Sequence, residues 1–156
     1  MHLNIGLGNR GTVLVVDDDP AILVLIQNIL SAANYRVLAA VERADALHLA
    51  EQKNVHIDLA LIDVCMPGVR GPEFAAEIRA LRPEIHLLWM SGIVDQEFVR
   101  IRLTDGYAGF LPKPLQRAGL LSAIEQAIAG NPAFSDESQA QVTRSMTAGA
   151  ADAALE

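Results

Sequence analysis

The chain alternates between short apolar runs and longer stretches whose apolar positions recur every three or four residues. Thr12 to Val16 is a β-branched, nearly unbroken apolar run, the pattern of a strand buried on both faces. Asp17-Asp18-Asp19-Pro20 stops it. Asp19 suits the cap of a following helix, and Pro20 suits its first turn, where a missing N–H goes unused. Ile22, Leu25, Ile26, Ile29 and Leu30 then fall at helical spacing as far as about Ala33. The same alternation predicts a second strand over Arg36–Val41 and a second helix over Ala44–Gln52, with Ala46, Leu47 and Ala50 facing inward. A third strand, Ile57–Ile62, ends at Asp63, and a Pro and Gly loop runs from Met66 to Gly71. A third helix over Pro72–Leu81 closes at Arg82-Pro83. A fourth strand over Ile85–Met90 ends at Ser91-Gly92, and a short fourth helix covers Asp95–Leu103. A fifth strand over Tyr107–Leu111 ends at Pro112-Lys113-Pro114, before a fifth helix over Gln116–Ala129. Five βα units in succession predict an α/β fold, a parallel sheet with helices on both faces.

This pattern occupies residues 12–130, read as one domain. Residues 1–11 form an N-terminal extension. Residues 131–156 are a low-complexity tail rich in Ala, Ser, Thr and Gln, and its final Leu155-Glu156 has the look of a cloning scar. Hydrophobic residues make up 51% of the chain and charged residues 20%, enough apolar surface for a folded core. The net charge of −7 argues against a broad basic face for nucleic acid or an anionic membrane. No apolar run approaches the roughly 20 residues of a membrane span. No secretion signal is recognisable at the start of the chain, and the single cysteine, Cys65, excludes an internal disulfide and fits a reducing compartment. The expectation is a cytoplasmic protein with neither nucleic-acid nor membrane partners.

Ligands of open α/β sheets bind beyond the carboxyl ends of the strands. Those ends here carry Asp17, Asp18 and Asp19, then Asp63, Ser91 and Lys113. Carboxylates brought together repel, and their pKa values rise unless a cation joins them. Mg²⁺, which favours a few carboxylates, waters and phosphate oxygens, meets that need. Taken alone, the Asp17 to Asp19 run is equally explained as a helix cap, and Ser91 as an ordinary turn residue beside Gly92. Lys113 is one of only two lysines and stands between prolines. It reads either as a solvated lysine or as a point charge for a phosphoryl group.

In order along the chain stand VLVVDDDP at 13–20, DLALIDVCMPG at 58–68 with Gly71, Met90-Ser91-Gly92, and Gly106 through Phe110 to Lys113-Pro114. Together these resemble the receiver domains of two-component response regulators, over about residues 12–130. The resemblance implies a flavodoxin-like five-stranded parallel sheet of order 2-1-3-4-5. It implies that Asp63 accepts a phosphoryl group from a phosphohistidine of a sensor histidine kinase or a histidine phosphotransfer protein. It implies Mg²⁺ held by Asp17, Asp18, Asp63 and the backbone carbonyl of Cys65, whose thiol is not required. Ser91 and Lys113 would contact the phosphoryl group, Ser91 and Phe110 would form the switch, and the Lys113-Pro114 bond would be cis. Such a domain is regulatory rather than an enzyme, although it promotes its own phosphorylation and dephosphorylation. The fourth helix, fifth strand and fifth helix (Gln96–Leu103, Tyr107–Leu111 and Leu115–Ala129) would carry a homodimer or output contact.

Departures from the family pattern are small. Ser91 replaces a commoner Thr, Leu115 replaces a frequent aromatic, Val69-Arg70 is unusual in its loop, and Trp89 is bulky for the fourth strand and is expected to alter packing near the switch. Cys65 and Ile93 stand where the family sets its dephosphorylation speed, and apolar Ile93 is expected to restrict attacking water. Other readings fit less well. A haloacid-dehalogenase-like phosphatase wants a second Asp where Cys65 stands. A flavin or dinucleotide site wants a phosphate loop where this chain has three carboxylates. His2, His48, His56 and His86 lie in no phosphotransfer helical pattern. The remaining competitor is a protein-interaction module on the same fold that ignores phosphorylation.

Overall fold

Successive side chains of each strand point into two different apolar layers, one on each side of a parallel sheet. The computed structural model describes residues 10–67, 71–92 and 109–130. The strands are β1 (Thr12–Val16), β2 (Arg36–Ala40), β3 (Leu59–Asp63), β4 (His86–Ser91) and β5 (Gly109–Pro112). The helices are α1 (Pro20–Ala32), α2 (Arg43–Glu51), α3 (Gly71–Leu81) and α4 (Arg117–Ile128). Sheet order is β2-β1-β3-β4-β5, every pair parallel, as the resemblance implied. The segment predicted as a helix over Asp95–Leu103 lies outside the described residues, as do Gly68 to Arg70, Ile93, Tyr107 and the tail.

Leu14, Val16, Ala60, Ile62, Leu87, Trp89 and Phe110 face α2 and α3, where Ala46, Ala50, Phe74, Ala75 and Ile78 cover them. Val13, Val15, Leu59, Leu61, Leu88, Met90 and Leu111 face α1 and α4, covered by Leu23, Ile26, Leu30, Leu120 and Ile124. The central strands are therefore apolar without interruption, because both faces are covered. Buried polar groups collect at the carboxyl edge of the sheet, where Asp63 ends β3, Ser91 ends β4 and Asp17 follows β1.

Local chemistry sets the element ends. Asp19 caps α1, its carboxylate accepting from Ala21 N at 2.9 Å, and Pro20 occupies the first turn. At the other end Asn34 adopts φ 68°. Tyr35 N donates to Leu30 O at 3.0 Å and Asn34 N to Ser31 O at 3.1 Å, a Schellman closure with Asn in the left-handed position. The predicted boundaries shift slightly. β3 begins at Leu59 rather than Ile57, because Asp58 is drawn into a bracket: its carboxylate accepts from Thr12 N at 2.8 Å and stands 3.0 Å from His56 Nε2. β4 includes Ser91, which pairs in register with Pro112 of β5.

Candidate acidic phosphoacceptor site

The strand order reverses between β1 and β3, so the helices leaving these neighbours go to opposite faces and open a crevice at their carboxyl ends. Asp17 follows β1 and Asp63 ends β3. Both are buried, Asp17 fully and Asp63 to 4% exposure, while Asp18 is exposed. Each of three aspartates bends the chain onto itself. Asp17 Oδ1 accepts from Asp19 N at 2.9 Å, Asp63 Oδ1 accepts from Cys65 N at 3.0 Å, and Asp19 does the same as the cap of α1. These are Asx turns, in which a short carboxylate satisfies the N–H two residues on. They also hold the remaining carboxylate oxygens in fixed positions.

Lys113 reaches this pair from the end of β5. Its Nζ donates to Asp17 Oδ2 at 2.8 Å and to Asp63 Oδ2 at 3.2 Å. Its backbone is anchored by Lys113 N donating to Ser91 O at 2.9 Å, continuing the ladder beyond β5. The Lys113-Pro114 peptide bond is cis. Burial pushes the Asp63 carboxyl above its ordinary pKa. The Cys65 N–H opposes that, the charge of Asp17 reinforces it, and Lys113 opposes it again. Burial pulls Lys113 down, but the two carboxylates outweigh it and leave the ammonium above its ordinary value. The site is thus an excess of negative charge held by one cation.

Oxygens of Asp17, Asp18 and Asp63 fall within 4.8 Å of one another. That donor set, all hard oxygens and mostly charged, suits a divalent ion such as Mg²⁺. Ser91 is buried at the end of β4, and its Oγ lies 3.5 Å from the Cys65 thiol. Phe110 lies on the neighbouring strand, β5. It is buried in the layer facing α2 and α3, paired in register with Trp89.

Two features of this site escape a reading of the strand ends. Lys113 lies closer to Asp17 than to Asp63, so the first aspartate is the ammonium's tighter partner. The only signal for that pairing was the need of several carboxylates for a cation. The Cys65 thiol touches Ser91, although only its backbone was expected at the site.

The family model for the response regulator receiver domain matches residues 13–125. The chain is 30% identical over 122 residues to a sensor kinase, CckA, of Brucella abortus, covering 78% of this chain and 13% of that protein. It is 35% identical over 117 residues to the transcriptional regulatory protein ZraR of Salmonella typhimurium, covering 75% of this chain and 26% of the relative. It spans a minor part of these relatives. Among solved structures, a CheY-like response regulator receiver domain protein from Methanospirillum hungatei superposes with a TM-score of 0.71 at 28% identity. That match covers 77% of this chain and 94% of the other. With a five-stranded sheet of order 2-1-3-4-5 and acids at the ends of β1 and β3, the chain belongs to the response regulator receiver domains of two-component signalling.

Proposed function

We propose that Asp63 accepts a phosphoryl group from a phosphohistidine, carried by a sensor histidine kinase or a histidine phosphotransfer protein. The observation that carries this is the grouping of Asp17, Asp18 and Asp63 at the mouth of the sheet, with one ammonium against Asp17 and Asp63. In the transfer, a carboxylate oxygen of Asp63 forms the new bond to phosphorus as the P–N bond of the donor breaks, and the bonding pair leaves with the imidazole. Such transfer depends on positioning and charge neutralisation more than on covalent help from the protein. Burial raises the basicity of the Asp63 carboxylate, which favours it as a nucleophile. Lys113 stands where its ammonium can follow the arriving phosphoryl oxygens while keeping Asp17 as its second partner. Asp17, Asp18, Asp63 and the Cys65 carbonyl would hold Mg²⁺, which when bound neutralises charge on the phosphoryl oxygens.

Phosphorylation replaces one carboxylate charge by a more negative group with several acceptors. Ser91, at the same rim, supplies a hydroxyl to that group, and Phe110 on the neighbouring strand responds to its movement. The function is regulatory, with the output carried by partners of the switched surface. The test is intact mass after incubation with Mg²⁺ and acetyl phosphate, paired with beryllofluoride binding, on wild type and Asp63→Asn. One phosphoryl adduct in wild type and none in Asp63→Asn is the expected result. No adduct and no beryllofluoride response would leave an interaction module that ignores phosphorylation.

A further inference from the structure

We infer that Trp89 is a positioning residue that ties the acidic rim to the start of α3, so that loading Asp63 alters the surface of that helix; this rests on the phosphoacceptor reading above. Val16, Ile62, Trp89 and Phe110 are register partners across β1, β3, β4 and β5, and all four belong to the layer under α2 and α3. The residues that follow two of them, Asp17 and Asp63, are the buried acids. The row is therefore the floor of the site. Trp89 is its largest member and is 1% exposed.

Its ring extends beyond the floor. A Cβ placed on Gly71, the first residue of α3, would stand 3.5 Å from Trp89 Cη2 and 3.6 Å from Cζ3. The far edge of the indole thus lies against the backbone where α3 begins, and Phe74, one turn on, is buried in the same layer. A methyl group at position 71 would rest on the ring in ordinary van der Waals contact. On the rim side the linkage is equally direct. Val64 N donates to Met90 O at 3.0 Å and Lys113 N to Ser91 O at 2.9 Å, so the two residues after Trp89 are bonded to the chain leaving Asp63 and to Lys113. A shift of Ser91 toward a phosphoryl group draws Met90 and Trp89 with it. A close-packed interior passes such a shift on rather than absorbing it. The rigid indole delivers it to Gly71, while a smaller side chain would end inside the layer.

The experiment follows hydrogen exchange over the first two turns of α3, with and without Mg²⁺ and acetyl phosphate, and intact mass verifies loading. Loading is expected to change exchange there about fivefold or more, the lower range of ordinary coupling between sites. In Trp89→Phe, whose ring keeps its place beside Phe110 but stops short of Gly71, loading persists and the α3 response is lost. Trp89 is the only tryptophan, so its emission gives a readout on the unmutated protein: it shifts on loading and not in Asp63→Asn. A loaded wild type with unchanged exchange in α3, or a Trp89→Phe protein with the full response, overturns the inference. Failure both to load and to respond to beryllofluoride overturns the phosphoacceptor reading, and this inference with it.

Discussion

Replacing Lys113 by Met tests the charge balance of the site most directly. The ammonium lies 2.8 Å from one carboxylate oxygen and 3.2 Å from another. At an effective dielectric constant of about 20, these contacts are worth roughly 6 and 5 kcal/mol of gross attraction. The acids, with oxygens within 4.8 Å of each other, repel by about 3 kcal/mol or more on the same footing. Methionine keeps much of the side-chain volume and removes only the charge. Against the lost attraction stands the hydration that the Lys113 ammonium gave up on folding, several kcal/mol for an ion removed from water. The side chain is 22% exposed, which lowers that cost, whereas Asp17 is wholly buried and cannot recover its own hydration. The net expectation is a loss of about 3 kcal/mol, near the lower end for breaking a buried pair from one side. The assay is urea unfolding in EDTA at about pH 8 and again at about pH 5. The loss should shrink at the lower pH, because Asp63, already raised by burial, takes a proton once the ammonium is gone. Adding Asp63→Asn to Lys113→Met should recover at least half of the loss. A Lys113→Met protein within about 0.5 kcal/mol of wild type at about pH 8, the scatter of ordinary surface substitutions, would refute the reasoning.

Three further outcomes follow from the same geometry. Burial holds the folded Asp63 pKa above its unfolded value, so its contribution favours folding in acid and is lost as pH rises through the folded pKa; Asp63→Asn should therefore exceed wild type in urea midpoint at neutral pH, with the difference vanishing toward acid. Mg²⁺ at about 100 times its dissociation constant should stabilise the protein by about 2.7 kcal/mol in urea titrations, and Asp17→Asn should remove most of that gain. Asn34→Val should cost about 1–2 kcal/mol in the same assay and Asn34→Gly little, because φ 68° excludes a β-branched side chain.

What the sequence by itself determined, among the described residues, is the order of the elements and the strand ends. Apolar runs such as those at 13–16 and 59–62 announce strands covered on both faces, since a polar side chain along them would lose its water on either side. Asp19-Pro20 marks the start of α1 because capping is a local event between residues two apart. Asp17, Asp63, Ser91 and Lys113 stand out because each interrupts an apolar run at its carboxyl end. Lys113, by contrast, is 96 residues from Asp17, and no periodicity reports which carboxylate it will prefer. Strand order brought β5's end within reach, and the Asx turns decided which oxygens remained to meet it. The indole of Trp89 could be noted as bulky from the sequence, but only the register of β3, β4 and β5 and the placement of α3 set it between Phe110 and Gly71. Local propensity and apolar patterning act between neighbours in the chain. The charge balance of the site and the route out of it act between neighbours in space, and these exist only once the sheet has closed on its helices.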